Sequence, residues 1–360
     1  MAVRSLLATH GKPAGSPIRL ARVSIIDDSG PQPVDDGSER AEGQMALAAC
    51  FARARPILTA LVAGVKEGDA VIVATDHNGF PVAQRVVERP KDLPHAVVIG
   101  RHNRCALAIP GDSRVSLRHL LLTAWPGQGP LRFRGYDLGG RAGVLLADGK
   151  RVPGFSAHGQ VALAFGRTSL FVLPGGDTGR EMLTGDDAES FRKLTGLDTS
   201  GIGHRLAISA MAEPGVAEIG GYRPIDVDVR PESRGLLRLR STKSGRARNT
   251  NRSRRRDESG QIRELEVDNE QLQRGLLIGR YSDRCSLAGQ GRNLSRVHAL
   301  VTEEGPNSLL IYDLASTNGV RPAGSSEGPS HSVVRMTADD PCMLGHFELS
   351  WVPLERPTIH

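Results

Sequence analysis

Three short motifs in the C-terminal third of the chain carry residue types that can bind phosphate. A Gly-Arg pair ends at Arg280, a Ser-Arg-Val-His run begins at Ser295, and a Ser-Thr-Asn-Gly run begins at Ser316. Together they supply guanidinium groups, hydroxyls and a carboxamide. A fork-shaped cation surrounded by neutral hydrogen-bond donors is well suited to a phosphate group, which carries negative charge and strong acceptor oxygens.

Each motif lies where an apolar run of strand length meets a loop. The run Leu276 to Ile278 ends at the Gly-Arg pair, and the run Val297 to Val301 follows the Ser-Arg corner. The run Leu309 to Tyr312 leads into the Ser-Thr-Asn-Gly turn. Short apolar runs bounded by turn residues indicate β-strands. If a β-sandwich gathers these loops at one end, they form a small, positively charged pocket for phosphate.

The three motifs, in this order and between strands, resemble those of the forkhead-associated (FHA) domain family. Members of that family are β-sandwiches whose apical loops bind phosphothreonine peptides. The resemblance implies that Arg280 and Ser295 contact the phosphate. The residues that it implies hold the phosphate or the peptide backbone are Arg296, Thr317 and Asn318, and those that it implies shape the loops are Gly279, His298 and Gly319. We expect His298 to brace the loops without touching a ligand.

An earlier stretch of the chain repeats this pattern. Arg101 stands where the later stretch has Arg280, and Ser116 and His119 stand where it has Ser295 and His298. The repeat has a long period and low identity, so it indicates a duplicated domain and not a solenoid.

The two copies differ at the turn that would hold a peptide. Arg141 and Ala142 occupy the positions of Thr317 and Asn318, and an alanine cannot supply a side-chain amide. We therefore treat Arg101, Ser116 and His119 as a degenerate site. Two interpretations remain open for the first copy: a structural or protein-docking domain, or a domain with altered phosphopeptide specificity.

The composition sets limits on the class of protein. A chain of 360 residues and 38.5 kDa is long enough for two or three domains. The four cysteines (Cys50, Cys105, Cys285 and Cys342) are scattered without metal-like spacing, which indicates reduced thiols and no metal site. The first residues contain no apolar stretch typical of a signal peptide, and arginines and a proline interrupt the apolar window from Met45 to Val65. We expect a soluble cytoplasmic protein of bacterial type, without a membrane span or a cofactor.

Positive charge is concentrated in one insertion. The net charge is +6 and the sequence pI is near 9.4. The stretch from Ser241 to Gly260 is rich in arginine and contains no aromatic residue. Blocks of like charge repel one another, so we predict a disordered hairpin loop there. A solvated loop or contact with acidic proteins is favoured, and nucleic-acid binding is unlikely because the insertion has no aromatic residue to stack on single-stranded bases.

Two segments carry helical signals. Apolar residues recur at helical spacing from Glu42 to Val65, and Pro56 is expected to kink this segment or to divide it in two. We expect the segment to be a helical cover for the domain that follows. Asp186 can cap a short helix that runs through Leu194.

The predicted fold is mainly β, with two FHA-like antiparallel β-sandwiches joined by an irregular linker and preceded by an N-terminal helical segment. The predicted ranges are a flexible leader (1–40), the helical segment (41–67), a degenerate FHA-like sandwich (68–174), a linker with short elements (175–233) and an FHA domain (234–356) with the basic insertion at 241–260.

The sequence therefore favours a non-enzymatic adaptor that binds phosphothreonine. Its expected partners are threonine-phosphorylated proteins or peptides, and it would act downstream of a Ser/Thr protein kinase. No P-loop, zinc-protease motif or nucleophile elbow is present in the sequence. The alternatives are a scaffold that docks proteins independently of phosphate and an arginine-rich accessory protein that binds nucleic acid.

Overall fold

The computed structural model of the chain describes residues 38–140, 142–147, 149–195, 208–210, 233–242, 262–291, 293–305, 307–324 and 330–354. The fold is mainly β, as predicted, with two sandwich-like pairs of sheets and an N-terminal helix. Residues 1–37 of the predicted leader and most of the basic insertion lie outside the described residues, and the first helix begins at Ser38, within the range predicted for the leader.

The first sandwich begins with a hairpin of two antiparallel strands. Its strands are β1 (Ala70–Thr75), β2 (Pro81–Val87), β3 (His95–Gly100), β4 (Leu107–Ala108), β5 (Leu120–Trp125), β6 (Arg132–Asp137), β7 (Val144–Leu146), β8 (Arg151–Val152), β9 (Gly154–His158), β10 (Val161–Phe165), β11 (Thr168–Pro174) and β12 (Ile208–Ala210). One sheet has the order β2-β1-β11-β10-β7-β8 and the other the order β12-β9-β6-β5-β3-β4.

Strand β1 is buried along its whole length because both of its faces are covered. Ile72 points into the core between the two sheets, where it joins Phe133 and Phe155. Val71 and Val73 point the other way and pack against helices. A strand that is covered on both faces needs apolar residues at every position, which accounts for the uninterrupted run AVIVAT.

Helices α1 (Ser38–Ala63), α2 (Gly176–Met182) and α3 (Asp187–Thr195) form this cover. In α1 the buried positions follow helical spacing and are Leu47, Cys50, Phe51, Ala54, Leu58 and Val62. The predicted cap of α3 is confirmed, since Asp186 Oδ1 accepts a hydrogen bond of 2.8 Å from the amide of Glu189. No helix among the described residues has the length and apolar character needed to cross a bilayer.

Helix α1 is continuous through Pro56, so of the two predicted effects of the proline, a kink or a division, the division is wrong. Proline removes one helical hydrogen bond, and its ring crowds the preceding turn. Pro56 is exposed, whereas Ala54 and Leu58 on either side of it are fully buried in the same apolar cluster. Packing on both sides of the proline therefore holds the helix together.

The second sandwich contains the Gly-Arg, Ser-Arg-Val-His and Ser-Thr-Asn-Gly motifs. Its strands are β13 (Ser233–Ser241), β14 (Ile262–Asp268), β15 (Leu276–Gly279), β16 (Leu287–Ala288), β17 (Ala299–Gly305), β18 (Ser308–Asp313), β19 (Val320–Pro322), β20 (Val333–Thr337), β21 (Cys342–Leu344) and β22 (Phe347–Pro353), with helix α4 (Asn269–Arg274) between β14 and β15. The sheets have the orders β14-β13-β22-β21-β19 and β16-β15-β17-β18-β20.

The two sandwiches share one strand order. The series β2-β1-β11-β10-β7 in the first corresponds, strand by strand along the chain, to β14-β13-β22-β21-β19 in the second. In the same way β9-β6-β5-β3-β4 corresponds to β20-β18-β17-β15-β16. The loops after β3 and after β15 therefore occupy equivalent ends of the two sandwiches.

The sandwiches meet through one face of each. A buried apolar group, which we call the inter-sandwich cluster, joins strands β3, β5 and β6 to strands β17, β18 and β20. Its buried members are Ala96, Val98, Cys105, Leu121, Tyr136, Leu138, Leu300, Leu310, Tyr312, Leu314 and Val333. Burial of apolar area at about 25 cal/mol per Å² makes such a face stabilising.

We expect Leu58→Ala to destabilise the chain and Ile57→Ala to have little effect. Leu58 is fully buried against the first sandwich, whereas its neighbour Ile57 is 39% exposed. A cavity in place of Leu58 should cost about 2–5 kcal/mol. The exposed substitution should cost about 1 kcal/mol or less. Urea unfolding followed by circular dichroism measures both, and equal losses would contradict the packing of α1.

Candidate functional site

Ser295 joins the loops that carry the three motifs. The amide of Arg280 donates a 3.0 Å hydrogen bond to the carbonyl oxygen of Ser295. The amide of Thr317 donates a 3.0 Å hydrogen bond to the Ser295 hydroxyl oxygen. Because Oγ already accepts that bond, the hydroxyl hydrogen is available to a ligand. The loops that follow β15 and β18 are thereby held against the loop that precedes β17.

His298 braces the same loops from below. Its ring is fully buried, Nδ1 accepts a 3.1 Å hydrogen bond from the Ser295 amide, and Nε2 lies 3.0 Å from the carbonyl oxygen of Gly319. These partners require a neutral ring with its hydrogen on Nε2. Burial, the largest influence, lowers the pKa of His298 from its usual value of 6.5. The histidine therefore stays neutral and touches the loops from inside.

The Ser-Thr-Asn-Gly turn is shaped by its own polar side chains. Asp313 Oδ1 accepts a 3.2 Å hydrogen bond from the Ser316 amide, and Ser316 Oγ accepts a 2.9 Å hydrogen bond from the Gly319 amide. Ala315 has a φ of 53°, in the left-handed region that residues with a Cβ seldom adopt. Asp313 and Ser316 were not among the predicted site residues, although short polar side chains at a turn are a known signal for such bonds.

Two glycines of the motifs lie where a side chain would collide. A Cβ on Gly279 would come within 2.3 Å of the carbonyl oxygen of Arg296. A Cβ on Gly319, which has a φ of 69°, would come within 2.1 Å of the Cβ of Ser330. The close approach of the chain segments at this end of the sandwich therefore requires glycine at both positions.

The side chains above this framework are turned to solvent. Arg280, Arg296, Thr317 and Asn318 are exposed, and neither arginine forms an ion pair with a carboxylate of the described residues. Asn318 Nδ2 donates a 2.7 Å hydrogen bond to the carbonyl oxygen of Asn293, a contact that sequence reasoning did not anticipate. This bond orients the carboxamide, and its oxygen and second N–H remain to pair with a ligand.

The first sandwich keeps the framework of this site. Ser116 donates its amide hydrogen to Nδ1 of His119 over 3.1 Å, and His119 Nε2 lies 3.1 Å from the carbonyl oxygen of Gly143. The amide of Arg101 donates to the Ser116 carbonyl oxygen over 2.9 Å. The histidine brace is thus present in both sandwiches.

The ligand-facing part of the first site is different. The Nε of Arg101 donates a 3.2 Å hydrogen bond to the carbonyl oxygen of Val115, so its guanidinium is partly occupied within the protein. Gly140 stands where the second sandwich has Ser316, and a Cβ there would come within 2.5 Å of the His119 ring. Ala142 has no polar side chain, and Arg141 lies outside the described residues.

The thiols near both sites are held inside. Cys285 Sγ donates to the carbonyl oxygen of Arg296 over 3.4 Å, and Cys105 Sγ donates to that of Leu117 over 3.2 Å. Burial raises the pKa of each of these thiols to about 11, so both stay protonated near neutral pH. Among the described residues no group of three or more His, Cys, Asp or Glu side chains is placed to hold a metal ion.

Two arginines of the first sandwich reach the turn of the second. Arg118 donates from Nε to the carbonyl oxygen of Leu314 and from Nη2 to that of Ala315, the latter over 2.8 Å. Arg104 donates from Nη1 to the carbonyl oxygen of Ser316 over 3.1 Å. Sequence reasoning missed both residues, because nothing in a local motif shows which distant segment it will contact.

Comparison with known proteins identifies one segment. The family model described as FHA domain matches residues 276–326. The chain is also similar in structure to the FHA domain of CT664 from Chlamydia trachomatis, with 22% identity over 34% of this chain and 100% of that one and a TM-score of 0.25. A second similar structure is Mycobacterium tuberculosis EmbR in complex with a low affinity phosphopeptide, with 22% identity over 32% of this chain and 24% of that one and a TM-score of 0.22. No curated protein matches the sequence.

We expect His298 to remain neutral, with its hydrogen on Nε2, at pH values where a free histidine is half charged. Its pKa is lowered in the folded state, so the stability that it contributes is complete above the unfolded value of 6.5 and is lost as the pH falls through the lower folded value. Long-range ¹H–¹⁵N NMR of the ring nitrogens measures both properties, with the urea-unfolded chain as control. A midpoint above that of the unfolded chain would contradict the assignment.

Proposed function

We propose that the FHA domain of the second sandwich binds phosphothreonine peptides and that the chain is a phospho-dependent signalling adaptor. One observation supports this most directly. Arg280, Ser295 and Thr317 lie together at one end of the sandwich. The side chains of Arg296 and Asn318, which follow Ser295 and Thr317 in the sequence, are exposed at the same end. Cations and neutral donors thus face solvent together.

The chemistry of phosphate accounts for each of these groups. A phosphothreonine carries about −1.5 to −2 charges near pH 7 and three strong acceptor oxygens. Arg280 would supply the planar pair of N–H donors that fits two of those oxygens. The free hydrogen of the Ser295 hydroxyl and the hydroxyl of Thr317 would donate to the remaining acceptor positions.

Recognition of the peptide chain would fall to the neighbouring residues. Asn318 is oriented by its 2.7 Å bond to the carbonyl oxygen of Asn293, so its carboxamide loses little further freedom when it pairs with a peptide backbone. Arg296 lies in the same loop as Ser295 and would add a second cation beside the phosphate. Pre-orientation of this kind favours binding because less entropy is lost on association.

We further propose that the chain is not an enzyme. The residues assigned to the site are arginines, hydroxyls and a carboxamide, and His298 beneath them is buried and hydrogen-bonded through both ring nitrogens. That arrangement supplies donors for binding, and His298 is not exposed to act as a general base. Because phosphothreonine is made by Ser/Thr protein kinases, we place the protein downstream of such a kinase, in the cytoplasm.

The first sandwich has a different proposed role. Its Arg101 donates to Val115, and its turn has Gly140 and Ala142 where the second has Ser316 and Asn318. We propose that it is an FHA-like copy without a working phosphothreonine site. Its apolar contact with the second sandwich through the inter-sandwich cluster supports a structural role.

We expect Arg280→Ala to abolish binding of a phosphothreonine peptide without unfolding the chain. Loss of one partner of a charged, hydrogen-bonded contact costs about 2–5 kcal/mol. A micromolar affinity, about −8 kcal/mol, would then fall toward millimolar. A phosphothreonine peptide that the wild-type chain binds is first selected from a peptide library. Isothermal titration calorimetry with that peptide, its unphosphorylated form and its phosphoserine form then measures the effect.

The control for this experiment is Arg263→Ala. Arg263 is an exposed arginine on β14, in the other sheet of the same sandwich, so its removal changes the net charge equally but leaves the proposed site intact. Equal affinities for Arg280→Ala and Arg263→Ala would show that the phosphate pocket is wrongly assigned. Equal binding of the unphosphorylated peptide would favour the phosphate-independent scaffold instead.

The full chain should bind a single phosphopeptide. Arg101→Ala should therefore leave both the affinity and the stoichiometry of the wild-type chain unchanged, because the first sandwich lacks counterparts of Ser316 and Asn318. The same calorimetric titration gives the stoichiometry. Two bound peptides per chain, with one lost in Arg101→Ala, would mean that the first sandwich is a second phosphopeptide site.

A further inference from the structure

Three consecutive carbonyl groups of the phosphothreonine turn are held by the first sandwich. The oxygens of Leu314 and Ala315 accept hydrogen bonds from Arg118, and the oxygen of Ser316 accepts one from Arg104. Both donors are guanidinium groups, and hydrogen bonds from a charged donor are shorter and stronger than neutral ones. We call these three contacts the arginine clamp.

The arginine clamp holds carbonyl groups of the turn, whereas the second sandwich holds amide groups of the turn. The amides of Leu314, Ser316 and Thr317 donate to the His298 carbonyl oxygen, to Asp313 and to Ser295, all within the second sandwich. The carbonyls of the same segment point toward the first sandwich and meet the clamp. The turn is thus hydrogen-bonded to both sandwiches, and the side chains of Thr317 and Asn318 at its end are exposed to solvent.

The backbone of this turn needs such support. Ala315 holds a φ of 53°, whereas the equivalent position in the first sandwich is Gly139, with a φ of 76°. A residue with a Cβ is strained in this left-handed region, and such conformations persist where surrounding contacts outweigh the strain. The Arg118 bond to the Ala315 carbonyl oxygen is one of those contacts.

The clamp runs in one direction only among the described residues. The position of Arg118 in the second sandwich is Val297, which has no side-chain donor. Arg284 corresponds to Arg104, but no hydrogen bond or ion pair joins its side chain to the described part of the first sandwich. The sandwich with the incomplete site therefore supplies the cations, and the sandwich with the complete site receives them.

We propose that Arg118, assisted by Arg104, is a positioning residue for the phosphothreonine site of the second sandwich. The first sandwich holds the turn Leu314–Gly319 in the conformation that binds the peptide, so the affinity of one domain depends on its neighbour. This inference rests on the proposed function for its ligand, whereas the grip on the turn can be measured without any ligand. Arg118 touches no peptide in this scheme and acts only through the turn.

The test uses the full-length chain with Arg118→Ala, Arg104→Ala and the double substitution. Titration with the phosphothreonine peptide that the wild-type chain binds should show about tenfold weaker binding for Arg118→Ala, the effect expected from losing hydrogen bonds to a charged donor. Amide hydrogen exchange measured by mass spectrometry should become faster in the peptide that contains residues 314–319. Thermal unfolding monitors whether each variant still folds.

Two matched variants separate positioning from general damage. Arg167→Ala removes an exposed arginine of the first sandwich whose side chain makes no described contact with the second, and it should change neither affinity nor exchange. Arg118→Lys keeps the charge but loses the two-pronged geometry, so it should recover part of the affinity. A merely structural role for Arg118 would shift the unfolding temperature without this graded recovery.

The outcomes are distinct. Unchanged affinity and unchanged exchange in Arg118→Ala would overturn the proposal, and so would faster exchange with wild-type affinity. If the wild-type chain binds no phosphothreonine peptide, the proposed function fails. In that case slower exchange at 314–319 in the wild type than in Arg118→Ala would still establish the grip on the turn, and equal exchange would overturn it.

Discussion

The end of the second sandwich that carries the three motifs depends on one buried imidazole. His298 accepts a hydrogen bond from the Ser295 amide at Nδ1, and its Nε2 donates one to the Gly319 carbonyl oxygen. Two loops that are separated along the chain are therefore joined through one rigid ring. The Ser295 hydroxyl oxygen accepts a hydrogen bond from the Thr317 amide, which places the loop of Ser295 beside the Ser-Thr-Asn-Gly turn. A charged ring could not accept the Ser295 hydrogen bond, and burial opposes that charge by lowering the pKa of His298.

The first sandwich contains the same histidine bridge. The bridge therefore supports the fold of both sandwiches and does not depend on a ligand site. His119 bridges Ser116 and Gly143 in the same way, although Ala142 and Gly140 have replaced the polar residues of the turn. A buried polar ring with both nitrogens satisfied is costly to remove, because its partners would be left unpaired. The exposed residues above it are free to change at little cost to the fold.

Local sequence signals predicted the fold class and several of the elements. The strands that flank the three motifs and the cap at Asp186 follow from apolar runs, turn residues and capping chemistry, all of which act over a few residues. Contacts between distant segments could not be predicted in this way. The continuity of α1 through Pro56 depends on a sheet beneath it, and the three Arg118 and Arg104 contacts join residues about two hundred positions apart.

The face that joins the sandwiches has a consequence for how the protein behaves in a dilute cell. Leu121 and Tyr136 on one side meet Leu300 and Tyr312 on the other within a single chain. Their association is intramolecular, so it is governed by the effective concentration that the connecting chain imposes and not by the number of molecules present. A homodimer built on the same face would dissociate on dilution, whereas this pair keeps its two halves together at any expression level.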